Sequence, residues 1–184
     1  TLLSHLLRPE QIKMLVEAED MESLLGYLLR TEYSSEVSKI IRKPDPRSLE
    51  AAFYKKVAER YEKYKVIVDA VALSKNVKRM IIGYMARLEV ENLKRILRAI
   101  HSGRKPSDDM LIPVSRKISG INFKALLEIR TVEEYVEHLK GTIYYDKIKD
   151  REDLYIKYNI PLIMETGIEE AYYNQVIAPA RKAR

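Results

Sequence analysis

The feature that most constrains this chain is an internal repeat. The segment MLVEAEDMESLLGYLLRTEYSSEV (14–37) aligns without gaps on ALLEIRTVEEYVEHLKGTIYYDKI (125–148), an offset of 111 that carries Tyr33 onto Tyr144. Leu15/Leu126, Glu17/Glu128, Glu22/Glu133, Leu28/Leu139, Thr31/Thr142 and Tyr33/Tyr144 are identical. Unrelated sequences of ordinary composition would share about one or two residues over such a window. A second block, LEAAFYKKV (49–57), aligns on IEEAYYNQV (168–176) in the same order, after a connection eight residues longer. A chain that repeats itself must fold as repeated supersecondary units, each burying part of its apolar face against a neighbour.

The units read as helices. Met14, Ala18, Met21, Leu25 and Leu28 recur at intervals of three and four, the spacing of one helical face. Pro9 suits a first helical turn, Asp20 an N-cap, and Asp45 followed by Pro46 the start of a long helix through LEAAFYKKVAERYEKY. Ser74 caps a helix expected from Val77 to Ile100 and stopped near Gly103. Thr131 and Glu134 form a capping box for VEEYVEHLK, closed by Gly141. Pro161 and Gly167 set off a final helix, IEEAYYNQVI. With only six glycines and seven prolines a turn-rich β protein is disfavoured, and the expectation is an all-α protein of repeated antiparallel helical units.

GRKPSDDMLIP (103–113) is a polar, proline-bounded linker, so residues 1–105 read as a first unit and 106–184 as part of a second. The counterpart of Asn92 in the second copy would fall at position 211, beyond Arg184. The expectation is therefore a piece of a longer repeat protein.

Chemistry is sparse. There is no cysteine, which removes disulfides and thiolate nucleophiles. The histidines are His5, His101 and His138. Of these only His138 has a carboxylate four residues away on a helix, Glu134, without a second ligand pair, and a solvated helix face explains the two. No glycine-rich phosphate loop, nucleophile elbow or H-E-x-x-H is present. The pairs Asp108/Asp109 and Glu169/Glu170 fall in the linker and at a helix start, where solvation and the helix dipole account for them. No catalytic residue, metal ligand or cofactor site is expected, and no small-molecule substrate.

The segment EVENLKRILRAIHSG (89–103) is the one that invites a function. Lys94, Arg95, Arg98, His101, Arg104 and Lys105 crowd one helix end, and thirteen tyrosines offer stacking surfaces, so a basic helical nucleic-acid-binding module is an alternative. Against it, 33 basic residues face 27 acidic ones, a mixed surface rather than a polycationic arm. Cations at a helix C-terminus are also favoured by the dipole, Arg95 can pair with Glu91, and the tyrosines sit among aliphatics at core spacing. Asn92 lies on the otherwise apolar row Met85, Leu88, Asn92, Ile96, Ala99. A buried amide must be hydrogen-bonded there, and the expected role is to fix how two helices meet.

T-x-Y after a leucine-rich helix (Thr31, Tyr33; Thr142, Tyr144), LEAAFY, and above all EVENLKRILR (89–98) resemble the C subunit of archaeal A-type ATP synthases and the related d subunit of V-type ATPases. The resemblance covers nearly the whole chain, and NLKxILR with its preceding acidic residue is its most specific part. It implies a unit of a pseudo-threefold, funnel-like all-helical protein. It also implies a non-catalytic socket that seats the central shaft, made by the D and F subunits, on the membrane proteolipid ring. Such a socket is peripheral on the cytoplasmic side of the membrane, with no nucleic-acid partner. Asn92, Lys94, Arg95 and Arg98 are the motif positions, structural or at an interface.

Overall fold

The computed structural model describes residues 7–42, 44–114 and 118–182; His5 lies outside them. Every regular element among them is a helix: α1 (Pro9–Val16), α2 (Met21–Leu28), α3 (Ser34–Ile40), α4 (Pro46–Ala70), α5 (Lys75–Met85), α6 (Arg87–His101), α7 (Phe123–Leu126), α8 (Val132–His138), α9 (Tyr145–Lys149), α10 (Glu152–Tyr158) and α11 (Pro161–Lys182), plus a 3-10 turn at Asp108–Met110. The chain divides into two compact units, Thr1–Glu59 and Arg60–Arg184, and α4 runs through the division.

The predicted caps are formed. Asp20 accepts from Ser23 N at 2.7 Å, and Asp45 from Arg47 N and Ser48 N at 2.9 and 3.1 Å. Ser74 accepts from Val77 N at 3.4 Å, and Thr131 and Glu134 close a reciprocal capping box. Each satisfies amides that the first helical turn leaves without partners. At the end of α6, Gly103 takes φ 68°, and Arg104 N reaches back to Ala99 O at 2.9 Å, a Schellman closure.

The repeat is expressed in local structure. Helices α1, α2 and α3 fall at the repeat positions of α7, α8 and α9, and α4 at that of α11. The T-x-Y corner is built the same way twice. Thr31 Oγ1 donates to Leu28 O at 2.7 Å and accepts from Tyr33 N at 3.2 Å. Thr142 Oγ1 does the same with Leu139 O and Tyr144 N, at the same distances. The longer connection of the second copy holds α10.

Three expectations are corrected. The helix expected from Val77 to Ile100 is two helices, turning at Ala86, whose N–H is shared between Ile82 O (3.2 Å) and Gly83 O (3.1 Å). Both halves pack on α11, so the turn is a tertiary demand that nothing in MARLE announces. Gly167 does not separate helices, because α11 begins at Pro161 and runs through it. A Cβ at Gly167 would stand 2.6 Å from Lys147 O, so the glycine is there to let α11 lie against α9. Finally, α1 stops at Val16, Met14 is exposed, and Leu15 supplies the packing instead.

The first unit has a small core of Leu25, Leu28, Val37 and Leu49, with Glu36 buried beside it and held by Lys39 (2.7 Å) and Lys55 (3.3 Å). The second unit's core is larger. It joins α6, through Val90, Leu93, Ile96 and Leu97, to the aliphatic and aromatic faces of α8, α9 and α11.

Candidate functional site, the braced α6 helix

Helix α6 presents its aliphatic stripe to the core and places polar side chains along the seams on either side. Asn92 is fully buried on the stripe, as the pattern required. Its partner differs from the expectation. Asn92 Nδ2 donates to Ile112 O at 2.8 Å, and its Oδ1 accepts from Ile112 N at 2.7 Å. The amide therefore imitates a β-ladder partner and clamps one residue of the 103–113 segment instead of joining two helices. Ile112, whose backbone has no helical neighbour to bond to, is thereby buried without losing its hydrogen bonds. Arg95 Nη1 donates to Met110 O at 3.0 Å and holds the same segment one turn along.

On the other seam, cations of α6 cross to α11. Arg98 makes a bidentate pair with Glu165, Nε to Oε1 and Nη2 to Oε2, both at 2.6 Å. Lys94 Nζ reaches Glu169 Oε1 at 2.8 Å, and Arg87 Nη1 reaches Glu169 Oε2 at 2.6 Å. Arg87 also pairs with Glu91 at 2.6 Å and lies 5.6 Å from the ring centroid of Tyr172. Burial alone would raise the Glu169 carboxyl, but the hydrogen bonds from Arg87 and Lys94 prevail and hold it below the usual glutamate range. The bidentate hydrogen bonds with Glu165 raise the Arg98 guanidinium above its ordinary value. Glu169 and Glu170 are thus not at a helix start. They sit inside α11, Glu170 taking Lys147 (2.7 Å) and Arg151 (2.5 Å).

A third polar contact was not anticipated. Glu89 is buried, accepts from Tyr144 Oη at 2.6 Å, and is hydrogen-bonded by the Ser119 side chain and the Gly120 backbone. Burial raises its carboxyl above the usual range despite these bonds. Tyr135 Oη donates to Leu93 O at 3.0 Å, and His101 Nδ1 meets Tyr155 Oη at 3.0 Å. Partners such as Glu165 and Tyr144 lie more than 50 residues from their α6 contacts, so no local pattern pointed to them.

These contacts brace α6 against α11 and the 103–113 segment. Lys94 is only 12% exposed, and Lys94, Arg95 and Arg98, three members of the cluster that suggested a nucleic-acid grip, are directed at Glu169, the Met110 carbonyl and Glu165 of the same chain. Lys105 likewise lies 3.3 Å from Glu128. The Glu134 carboxylate accepts from the backbone amides of Arg130 and Thr131. Among the described residues no group of three or more His, Asp or Glu is placed to hold a metal ion, and no helix is long and apolar enough to cross a membrane.

Comparison with known proteins is consistent with this architecture. The family profile described as ATP synthase (C/AC39) subunit matches residues 2–184. The C subunit of the A-type ATP synthase from Archaeoglobus fulgidus is 28% identical over 179 residues, covering 95% of this chain and 48% of that protein. Its counterpart of the same description from Methanocaldococcus jannaschii is 25% identical over 166 residues, covering 88% of this chain and 40% of that protein. The chain thus spans about half the length of the curated relatives it matches. No solved structure matches it at a significant level.

Proposed function

The chain belongs to the ATP synthase (C/AC39) subunit family, and on that premise we propose that it serves in the central stalk of a rotary A-type ATP synthase. In this reading it is a non-catalytic socket that seats the shaft of the D and F subunits on the membrane proteolipid ring. It passes torque between ion movement and ATP synthesis or hydrolysis. The observation that carries the reading is the family match along residues 2–184.

The geometry suits the role. A torque-bearing part must resist shear between its helices, and α6 is tied to α11 by Arg98–Glu165, Lys94–Glu169 and Arg87–Glu169 and to the 103–113 segment by Asn92 and Arg95. We assign Asn92, Lys94, Arg95 and Arg98 to this bracing. Residues 1–105 and 106–184 are taken as one repeat and part of a second. Association with the cytoplasmic side of the membrane would come through protein contacts.

The test is co-purification. The full-length polypeptide, tagged and mixed with purified D–F shaft or with detergent-solubilised proteolipid ring, is expected to retain both. Recovery of neither partner would overturn the proposal. Retention of DNA or RNA at low salt, lost on charge reversal of Arg95 and Arg98, would favour the nucleic-acid alternative instead.

A further inference from the structure

We propose that the corner where α4 ends, α5 begins and α11 ends is a docking surface for the anionic face of a lipid bilayer, met directly by this chain. The contact would add to the protein contacts above and does not depend on the rotary role.

Two hydrogen bonds hold the corner together. Lys78 Nζ of α5 donates to Asp69 O near the end of α4, and Asn76 Nδ2 donates to Lys182 O at the end of α11, both at 3.1 Å. Its charge sets it apart from the rest of the molecule. Residues 60–79 with Arg181 and Lys182 hold eight basic and two acidic residues, an excess equal to the whole chain's net charge of +6. The remaining residues are balanced, with 25 of each sign. Lys65 is drawn to Asp69 at 2.6 Å. Lys63, Lys75, Arg79, Arg181 and Lys182 are exposed, and among the described residues none of these five has a carboxylate partner. Lys94 and Arg98 of α6, by contrast, are matched by Glu169 and Glu165.

An apolar strip accompanies the cations. Val66, Ile67 and Val71 are 62%, 45% and 46% exposed and share one face at the end of α4, where Val71 N still bonds to Ile67 O at 3.0 Å. Lys63 lies one turn earlier on that face, and Val68, on the opposite face, is buried. Exposed β-branched residues add nothing to helix propensity, and three together on one face mark a contact surface. A bilayer interface takes both features: headgroup phosphates receive Lys and Arg, while short aliphatic side chains enter the boundary between headgroups and acyl chains. Nucleic acid would match the cations but leave the aliphatics in water, and Tyr61 and Tyr64 of the same stretch are partly buried rather than offered for stacking. No described helix can cross a membrane, so the contact is interfacial.

The test is vesicle flotation of the full-length polypeptide of the same gene, with no other subunit present. Vesicles of phosphatidylglycerol and phosphatidylcholine in equal parts are compared with phosphatidylcholine alone. The anionic vesicles should be bound and the neutral ones not. Each cation at an anionic surface strengthens binding about five-fold, so Lys75→Glu with Arg79→Glu should weaken it more than about ten-fold. Val66→Gln with Ile67→Gln should weaken it about ten-fold by withdrawing the aliphatic strip. Lys124→Glu with Lys140→Glu makes the same change in net charge at exposed positions outside the corner and should have a much smaller effect. All six substitutions fall at exposed positions, so the fold should hold, which circular dichroism checks. The proposal is overturned if the full-length polypeptide does not bind anionic vesicles, even where the 184-residue chain does, or binds neutral ones equally well. It is also overturned if the control pair weakens binding as much as the corner pair, or if duplex DNA is bound more tightly than the vesicles at the same salt. None of these outcomes bears on recovery of the shaft or the ring, which tests the rotary role separately.

Discussion

Asn92 and Ile112 exchange two hydrogen bonds, side-chain amide against backbone peptide, at 2.8 and 2.7 Å in a fully buried setting. A leucine at position 92 would fill similar volume but leave the Ile112 N–H and C=O without these partners. Each buried orphan costs about 1–3 kcal/mol. Asn92→Leu is therefore expected to lose about 2–5 kcal/mol in equilibrium urea unfolding. Faster hydrogen exchange at Ile112 should accompany it, with α8 unaffected. Unchanged stability together with lost shaft binding would make Asn92 an interface residue instead.

Two glycines should respond in opposite directions to the same substitution. A methyl at Gly167 meets the Lys147 carbonyl at 2.6 Å, backbone that cannot swing aside. Gly167→Ala should cost about 1–3 kcal/mol by forcing α11 off α9. Gly26 lies inside α2 with nothing within 4 Å of an added Cβ, so Gly26→Ala should gain about 0.5–1 kcal/mol from helix propensity. Thermal unfolding of the two variants in parallel checks the pair.

The Arg98–Glu165 pair is asymmetric, with the arginine side chain half exposed and the glutamate 6% exposed. Removing the arginine strands a buried carboxylate, whereas removing both charges does not. Arg98→Ala should cost about 1–3 kcal/mol. The double variant Arg98→Ala/Glu165→Leu should recover part of that loss, which a double-mutant cycle measures. Equal losses in the single and double variants would mean that the arginine acts only through packing.

Glu89 and Glu169 should show opposite pH dependence. The folded state raises the Glu89 carboxyl above its ordinary value of 4.5, so its contribution is greatest below 4.5 and is lost as pH rises through the raised folded value. Glu89→Gln mimics the protonated form and still accepts from Tyr144. Its stability relative to the parent should improve as pH rises above 4.5. Glu169 is lowered, so its stabilisation is present above 4.5 and lost as pH falls through the lower folded value. Glu169→Gln should be less stable than the parent near neutrality, with the gap closing in acid. Urea midpoints across the range from about pH 3 to pH 8 separate the two.

Features that depend on near neighbours along the chain could be read directly from the residues. The caps Asp20, Asp45, Ser74 and Thr131 act within three residues, so they were legible and formed as expected. The T-x-Y corners also close within five residues, but the residues showed only that the motif recurs, not how its threonine bonds. The repeat was legible because identities at a fixed offset survive without any knowledge of contacts. The burial of Asn92 followed from helical period alone.

Where those groups point was set by packing in three dimensions. The Asn92 amide went to Ile112, twenty residues away, because α6 needed a clamp for the returning segment more than a second helix. Gly167 suggested a breaker because glycine's helix cost is local, while its benefit, the approach of Lys147, is not. The turn at Ala86 and the pairing of Lys94 and Arg98 with Glu169 and Glu165 likewise depend on α11, about 70 residues downstream. Helical period specifies which face of a helix is buried, whereas the partners of that face depend on how distant parts of the chain return to it.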